Sequence, residues 1–247
     1  MIWSAGLAIL GGLIGSFVVT TLQRWRTGRP IVLDRSRCDH CARTLGPFEL
    51  IPLISAVALR FRCRTCRRRI DAIHWQFEAA ACLIGLSAGL AAPGVVALAG
   101  ALFGWQLLAL AMIDVRHLLL PNALTVSLAT TGLVVSAVGL GAAPVDSLLG
   151  GLVGFGALWA VKELYRTLRG REGLGGGDPK LFGAIGCWLG WQMLPYTLLG
   201  ASVLGLALAA TAFARGQQSL SEKRFPFGAH LALAAFLTWL AVTASTS

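Results

Sequence analysis

The chain has 247 residues, of which 56% are hydrophobic and only 13% are charged, and its formal net charge at pH 7 is +10. A mean hydropathy of +0.72 is far above that of ordinary soluble proteins, so the composition excludes a water-soluble globular domain. It predicts an all-α polytopic membrane protein, because helices satisfy their own backbone hydrogen bonds in lipid.

Eight apolar stretches are candidates for transmembrane helices, since about 20 apolar residues cross a hydrocarbon core of about 30 Å. In chain order they lie near 1–23, 75–92, 95–113, 118–140, 145–166, 179–192, 195–213 and 227–244. The stretch at 179–192 is short, so seven spans with a re-entrant segment are the alternative. We divide the chain into a first helix at 1–23, a polar loop at 24–74 and a membrane domain at 75–247.

Basic residues are sorted between the two ends of these helices, and Lys and Arg favour cytoplasmic loops. One side carries them in four segments: 24–69, Arg116, 162–180 and 215–224. The opposite turns, near 93, 140–145 and 191–196, contain none. We therefore expect the N-terminus outside the cytoplasm and the polar loop inside. Because this topology accounts for the net charge, we expect membrane lipid and not nucleic acid as a partner. The first stretch precedes Arg24 and Arg26, so we interpret it as a retained helix and not a signal peptide.

The polar loop contains two C-x-x-C pairs separated by 21 residues, Cys38 with Cys41 and Cys63 with Cys66. Each pair can direct two thiolates at one ion, and two pairs complete a tetrahedral four-cysteine zinc site. Since protein would fill all four positions, the zinc would be structural and would let a polar loop fold without a core of its own. Free or disulfide-bonded thiols are the alternative, and a cytoplasmic location argues against disulfides.

Two aspartates lie at the ends of apolar stretches, where a carboxylate is costly unless something uses it. Asp114 ends one stretch and Asp178 begins another, and the expected topology places both at the cytoplasmic side. Three residues without side chains precede Asp178 and would let an extended peptide approach it closely: Gly175, Gly176 and Gly177. The alternative is that Asp178, which is followed by Pro179, merely caps a helix.

Asp114 and Asp178 together predict a catalytic pair, because two carboxyl groups in one site repel each other and leave one protonated while the other is ionised. The ionised group can take a proton from an attacking water, and the protonated group can stabilise the oxyanion and protonate the leaving amine. Which aspartate starts in which state stays open, since coupled groups titrate as a pair. Lys180 either acts on Asp178 or substrate, or reaches toward the headgroups.

These motifs together resemble those of the type IV prepilin peptidases, a family of integral-membrane aspartic proteases with a G-x-G-D signature. The similarity covers nearly the whole chain and is carried, in order, by Gly15-Ser16-Phe17, the two C-x-x-C pairs flanking Phe48-Glu49-Leu50-Ile51-Pro52, Glu78, Ile113-Asp114 followed by Leu120-Pro121-Asn122, Gly170-Arg171-Glu172-Gly173 leading to Gly175-Gly176-Gly177-Asp178-Pro179-Lys180-Leu181, and Phe225-Pro226-Phe227-Gly228.

The resemblance implies an enzyme of the bacterial inner membrane that cleaves type IV prepilins, or the pseudopilins of type II secretion, at the cytoplasmic face. The cut would follow a Gly and precede a hydrophobic residue, usually Phe. Many members then methylate the new N-terminus with S-adenosylmethionine. Glu78 is our candidate for that step, since a carboxylate could accept a proton from the N-terminal ammonium. The alternative is an interfacial glutamate without such a role.

Two departures from the family pattern bear on methylation. Val19 stands where family members commonly have Asn, and Ile73-His74-Trp75 stands where an Arg-Tyr-Pro-like stretch is usual. A rival from another class is a proton-coupled transporter that uses the two aspartates as a relay, although the sequence shows no convincing internal repeat. A zinc-stabilised scaffold without catalysis is a third interpretation, and it leaves the glycine run and the paired aspartates unexplained.

Overall fold

The computed structural model describes residues 2–27, 35–38, 40–170, 173–215 and 226–246. Parts of the expected cytoplasmic loops lie outside the described residues, and so do Arg171, Glu172 and Phe225 of the motifs quoted above. Within the described residues the chain is helical and contains no β-strand. Two isolated antiparallel bridges occur, at 37 with 44 and at 62 with 69. The all-α prediction is confirmed for this part of the chain.

The helices follow the apolar stretches of the sequence closely. In chain order they are α1 (Ile2–Thr27), α2 (Ile54–Ala58), α3 (Ala72–Ala91), α4 (Gly94–His117), α5 (Asn122–Ala137), α6 (Pro144–Arg169), α7 (Asp178–Leu189), α8 (Leu194–Ala214) and α9 (Phe227–Thr246), with 3-10 turns at Pro47–Leu50 and Trp191–Met193. Each of the eight apolar stretches coincides with one helix to within a few residues, and α2 is an additional short helix inside the polar loop.

Five segments are long and apolar enough to cross a membrane, judged by length and composition over the described residues. They are Ile2–Leu22, Gly94–His117, Pro144–Arg169, Trp191–Ala214 and Phe227–Ser245. The helices α5 and α7 have 16 and 12 residues. At about 1.5 Å per residue, both are shorter than a hydrocarbon core of about 30 Å. The prediction of about eight spans is therefore not confirmed, whereas a multi-pass membrane protein is.

The chain divides into two compact units, Met1–Ala101 and Leu102–Ser247, so the boundary falls inside α4. The sequence-based division after 23 and 74 stays a prediction. In the first unit α1 packs antiparallel against α3 at backbone contact distance. A β-carbon on Gly11 would collide with the Ala81 carbonyl, and one on Gly85 with the Leu7 carbonyl. Small residues thus let the two backbones meet, as in many membrane helix pairs.

The second unit is built around α7, in which every residue except Lys180 is buried. The helix contacts α5, α6, α8 and α9. On the α6 side the backbones touch, because a β-carbon on Gly186 would collide with the Gly150 carbonyl. A short helix enclosed on several sides has little freedom to move, so its first residue, Asp178, is held in a fixed place.

Trp188 fixes the far end of α7 to two other helices. Its indole Nε1 donates a hydrogen bond to the Leu128 carbonyl of α5 at 2.7 Å. Its ring stacks on Phe103 of α4 with 4.7 Å between centroids. A buried Trp that satisfies its N–H in this way combines apolar packing with a directional bond. The bond ties α7 to α5, and the ring contact ties α7 to the helix that carries Asp114.

Candidate active site

Asp178 is the first residue of α7, and Gly177 is the N-cap residue, without a side-chain capping bond. The Asp178 side chain is 6% exposed. Its Oδ2 atom accepts a hydrogen bond from the Gly175 amide at 3.0 Å. If Asp178 were the N-cap residue, α7 would begin at Pro179. It begins instead at Asp178 itself. The carboxylate turns back toward the glycine run and does not cap α7.

The glycine run is shaped by contacts within the chain. A β-carbon on Gly175 would lie 2.9 Å from Asp178 Oδ2, and one on Gly177 would lie 2.7 Å from the Leu120 β-carbon. Gly175 and Gly176 are themselves exposed. Side chains are thus excluded at Gly175 by the carboxylate and at Gly177 by Leu120. No side chain therefore protrudes from these glycines beside the carboxylate, as the predicted approach of an extended peptide requires.

Asp114 lies in the last turn of α4 and is 5% exposed. Its Oδ2 atom accepts a hydrogen bond from the Ala229 amide, in the first turn of α9, at 2.9 Å. Gly228 is packed against the same oxygen. The N-terminal amides of a helix carry partial positive charge and favour a nearby carboxylate. The start of α9 therefore orients the Asp114 side chain.

The two carboxylates belong to the same unit and lie close enough for the charge on Asp114 to act on Asp178. Leu120 joins the two turns that carry them. Its side chain packs against Gly177 and also lies 3.1 Å from the β-carbon position of Gly228. The structure therefore brings the two predicted carboxylates together, buried, and each oriented by a backbone amide. Such a pair can share a proton and activate a water.

Two lysines on the helices near this pair, Lys180 and Lys162, have different partners. The Lys180 amine donates to the Asn122 side-chain oxygen at 2.8 Å and so ties α7 to the start of α5. The cation whose charge acts on Asp178 is instead Lys162 of α6. Its Nζ atom lies 3.5 Å from the β-carbon position of Gly176. Sequence reasoning assigned Lys162 to membrane topology alone, and no local motif distinguished it.

The four predicted metal ligands converge in the first unit, with all four sulfurs within 4.8 Å of one another. Two Sγ–Sγ distances are 3.9 Å, between Cys38 and Cys66, and 4.0 Å, between Cys41 and Cys63. A tetrahedral zinc with Zn–S bonds of about 2.3 Å sets neighbouring sulfurs about 3.8 Å apart. The distances fit that geometry and are far too long for disulfide bonds, which are about 2.05 Å.

The backbone forms the same turn twice around these sulfurs. The Ala42 amide donates to the Cys38 carbonyl at 2.9 Å, and the Arg67 amide donates to the Cys63 carbonyl at 3.0 Å. Both donors have positive φ, at 55° and 58°. Amides of Cys66 and Thr65 point at the Cys63 sulfur and lower its pKa to about 6. The lowered pKa of Cys63 favours the thiolate, the state that a zinc ligand requires, whereas burial and the neighbouring thiols raise the pKa of Cys66 to about 11.

Glu78 lies in the first unit, on α3, and is 8% exposed. Its Oε2 atom accepts a hydrogen bond from the Leu53 amide at 2.8 Å. Leu53 precedes α2 and has a positive φ of 58°, an unusual conformation for a non-glycine residue. The carboxylate thus holds a strained turn of the polar loop. A carboxylate has capacity for several hydrogen bonds, so this contact leaves Glu78 able to accept a proton or bind a cation.

Two family models match the chain. Residues 101–210 match the type IV leader peptidase family, and residues 9–91 match the bacterial peptidase A24 N-terminal domain. A prepilin leader peptidase/N-methyltransferase of Stutzerimonas stutzeri is 38% identical, over 94% of this chain and 88% of its own length. The chain belongs to the type IV leader peptidase family. The resemblance drawn from the sequence motifs is confirmed, and the chain is a member of a peptidase family.

Further relatives carry the same name and also match most of the chain. The prepilin leader peptidase/N-methyltransferase of Burkholderia pseudomallei strain K96243 is 37% identical, over 91% of this chain and 81% of its own length. The protein of that name from Pseudomonas aeruginosa is 37% identical, over 85% of this chain and 72% of its own length. No solved structure matches the chain.

The matched segments contain the predicted site residues of this family member. Asp114 and Asp178 fall within 101–210, and Glu78 and the four cysteines fall within 9–91. Their individual roles stay predictions. No role was predicted for Ala229 or His230 from the sequence. Both residues directly follow the Phe225-Pro226-Phe227-Gly228 motif, which pointed to this segment.

Proposed function

We propose that this chain is a prepilin leader peptidase of the bacterial inner membrane, an aspartic endopeptidase whose catalytic pair is Asp114 and Asp178. The observation that carries the proposal is the pair of buried carboxylates on the two turns that Leu120 joins, each bonded to a backbone amide. Buried like charges favour the singly protonated state that aspartic proteases use. The names of the relatives supply the substrate class, prepilins.

The reaction proposed for this pair is hydrolysis of one peptide bond. The ionised carboxylate takes a proton from water while the water oxygen attacks the scissile carbonyl carbon. The protonated carboxyl group donates to the developing oxyanion. As the C–N bond breaks, the leaving amine takes from the pair the proton that water gave up, the oxyanion returns its proton as the new carboxyl group forms on the leader, and the pair again holds one proton. Lys162 balances part of the negative charge beside Asp178.

The substrate is proposed to reach this pair as an extended segment along the exposed glycines Gly175 and Gly176. The expected cut follows a Gly and precedes a hydrophobic residue, as the family resemblance implies. Sorting of Lys and Arg between loops supports a cytoplasmic active site. The substrate would be the leader junction of a type IV prepilin or of a type II secretion pseudopilin.

Methylation of the new N-terminus is a second proposed activity, favoured by the names of the relatives and by the buried Glu78. S-adenosylmethionine would supply an electrophilic methyl group, whose bond to sulfur breaks as the amine bonds to it, and the thioether S-adenosylhomocysteine would leave. Glu78, which uses one oxygen on the Leu53 amide, would take the proton from the N-terminal ammonium and free its lone pair. The four cysteines would hold a structural zinc that orders the polar loop around Leu53.

Mass spectrometry of a processed substrate tests the proposal. A prepilin-type substrate with a short basic leader is expressed with the wild-type chain, and the product is examined for the cut position and an N-terminal methyl group. Cleavage after the Gly supports the peptidase. An unprocessed substrate together with substrate-dependent proton flux would select the transporter. Asp146→Asn is the matched control, because Asp146 is a carboxylate of the same unit that bonds Trp191.

A further inference from the structure

The Ala229 amide, which orients Asp114, has two acceptors. It donates to Asp114 Oδ2 at 2.9 Å and also lies 3.2 Å from the Pro226 carbonyl, as the first turn of α9 closes. One N–H shared between two oxygens divides its strength between them. A second donor that hydrogen-bonds to the Pro226 carbonyl therefore lets the Ala229 N–H bond more strongly to the Asp114 carboxylate.

A histidine provides that second bond. The His230 ring is buried, with 9% of its surface exposed, and its Nδ1 atom lies 2.9 Å from the Pro226 carbonyl oxygen. A carbonyl oxygen accepts only, so Nδ1 carries the hydrogen. The contacts form one chain, from the His230 ring through Pro226 and Ala229 to Asp114.

We infer that His230 is a positioning residue for Asp114, acting through the Pro226 carbonyl and the Ala229 amide. The inference rests on the proposed function, since it assigns a supporting residue to the proposed catalytic pair. His230 occupies the Pro226 carbonyl and thereby directs the Ala229 N–H at the carboxylate. Reacting groups must be held closely, because a misplacement of about 1 Å can lower a rate about 10²-fold.

Three substitutions separate this role from simple packing. His230→Asn keeps an N–H donor near the Nδ1 position, His230→Gln moves the donor outward to the position of Nε2, and His230→Leu fills the space without a donor. We expect His230→Asn to keep kcat within about threefold of wild type. The Gln and Leu variants should lose about tenfold in kcat, with KM nearly unchanged, because the bond acts on the catalytic group and not on substrate.

Initial rates of leader cleavage are measured on purified full-length protein in detergent, with helix content checked by circular dichroism. Packing alone would make Leu the best replacement, so a Leu variant as active as wild type, or equal losses in Asn and Gln, would overturn the inference. If the Leu variant does not insert, the comparison of Asn with Gln still decides. Asp114→Asn serves as the reference: cleavage by it would remove Asp114 from the proposed catalytic pair, and a wild-type chain that leaves the substrate uncut would overturn the proposed function itself. An inactive Asp114→Asn beside an unimpaired His230→Gln would overturn only this inference.

Discussion

The Oδ2 atom of Asp114 lies 2.8 Å from the point that a β-carbon on Gly228 would occupy. Real β-carbons do not approach oxygens so closely, so a side chain at Gly228 must displace the carboxylate or the start of α9. The Leu120 side chain lies 3.1 Å from the same point, so a side chain at Gly228 has no room to shift toward Leu120. The absence of a side chain at Gly228 is therefore a condition for the observed place of Asp114.

Gly228→Ala should lower the rate of leader cleavage about 10²-fold, because a displacement of about 1 Å at a catalytic group has effects of that size. Gly205→Ala is the matched control, since nothing lies within 4 Å of its β-carbon position in α8. Initial rates on detergent-purified protein, with equal amounts of inserted enzyme, provide the measurement. A fully active Gly228→Ala would show that the Asp114 position is not critical.

Asp114→Asn and Asp178→Asn should each abolish cleavage while leaving expression and membrane insertion near normal. An amide has nearly the shape of a carboxyl group but can neither act as general base nor shuttle the proton. Acid–base groups contribute about 10²–10⁴-fold to rates. Processing of a prepilin-type substrate is followed by gel shift, with Asp146→Asn as the carboxylate control. Substantial cleavage by either inserted variant would remove that residue from the mechanism.

The features of this site that could be predicted are those that depend on residues close together in the sequence. Asp114 and Asp178 stand out because acidic residues are scarce at the ends of apolar stretches. The cysteine cluster follows from C-x-x-C turns, whose two ligands are only three residues apart. Helix positions follow from runs of apolar residues, which is why the stretch expected near 195–213 coincides with α8.

The unpredictable part depends on which helices meet. The bond from Ala229 to Asp114 joins residues 115 positions apart, and its existence depends on α9 arriving beside the end of α4. No periodicity reports such a meeting. The same holds for Lys162 of α6, whose charge acts on Asp178 of α7, because it depends on these two helices packing against each other. Hydropathy also could not show that α7 is enclosed by its neighbours.

Gly186→Ala should lower the thermal unfolding midpoint, because the new methyl group meets the Gly150 backbone of α6. Overpacking of a well-packed interior costs about 1–3 kcal/mol. The control is Gly156→Ala, on α6 itself. Nothing lies within 4 Å of the Gly156 β-carbon position, so this substitution should change the free energy of unfolding by no more than about 0.5 kcal/mol. Unfolding is followed by circular dichroism in detergent. Equal midpoints for the two variants would show that the α6–α7 contact is easily relaxed.

Purified protein should contain about one zinc per chain, and replacing Cys38 and Cys66 together with Ser should release it, because a hydroxyl is a poor substitute for a thiolate. Cys82→Ser, outside the cluster, is the control and should retain the metal. Inductively coupled plasma mass spectrometry measures the stoichiometry. Metal-free wild-type protein, with all four thiols reduced and freely alkylated, would contradict the zinc site.

The two proposed activities should separate when the cysteine cluster is broken. The four cysteines and Glu78 lie in the first unit, and Asp114 and Asp178 lie in the second. The carboxylate pair is held by helices whose backbone bonds are satisfied within each segment and do not depend on a metal. The turn at Leu53, which Glu78 holds, belongs to the loop that zinc would order. Loss of zinc should therefore disturb Glu78 more than the aspartates.

Cys-to-Ser variants of the cluster should accordingly lose N-terminal methylation more severely than cleavage. Cleavage should fall partway if the polar loop also guides the leader to the active site. Initial rates of both reactions are measured on one detergent preparation, with cut position and methyl group read from the same mass spectrum and Cys82→Ser as the matched control. Equal and complete loss of both activities, with helices intact by circular dichroism, would refute the separation and make the zinc loop an essential part of the peptidase site.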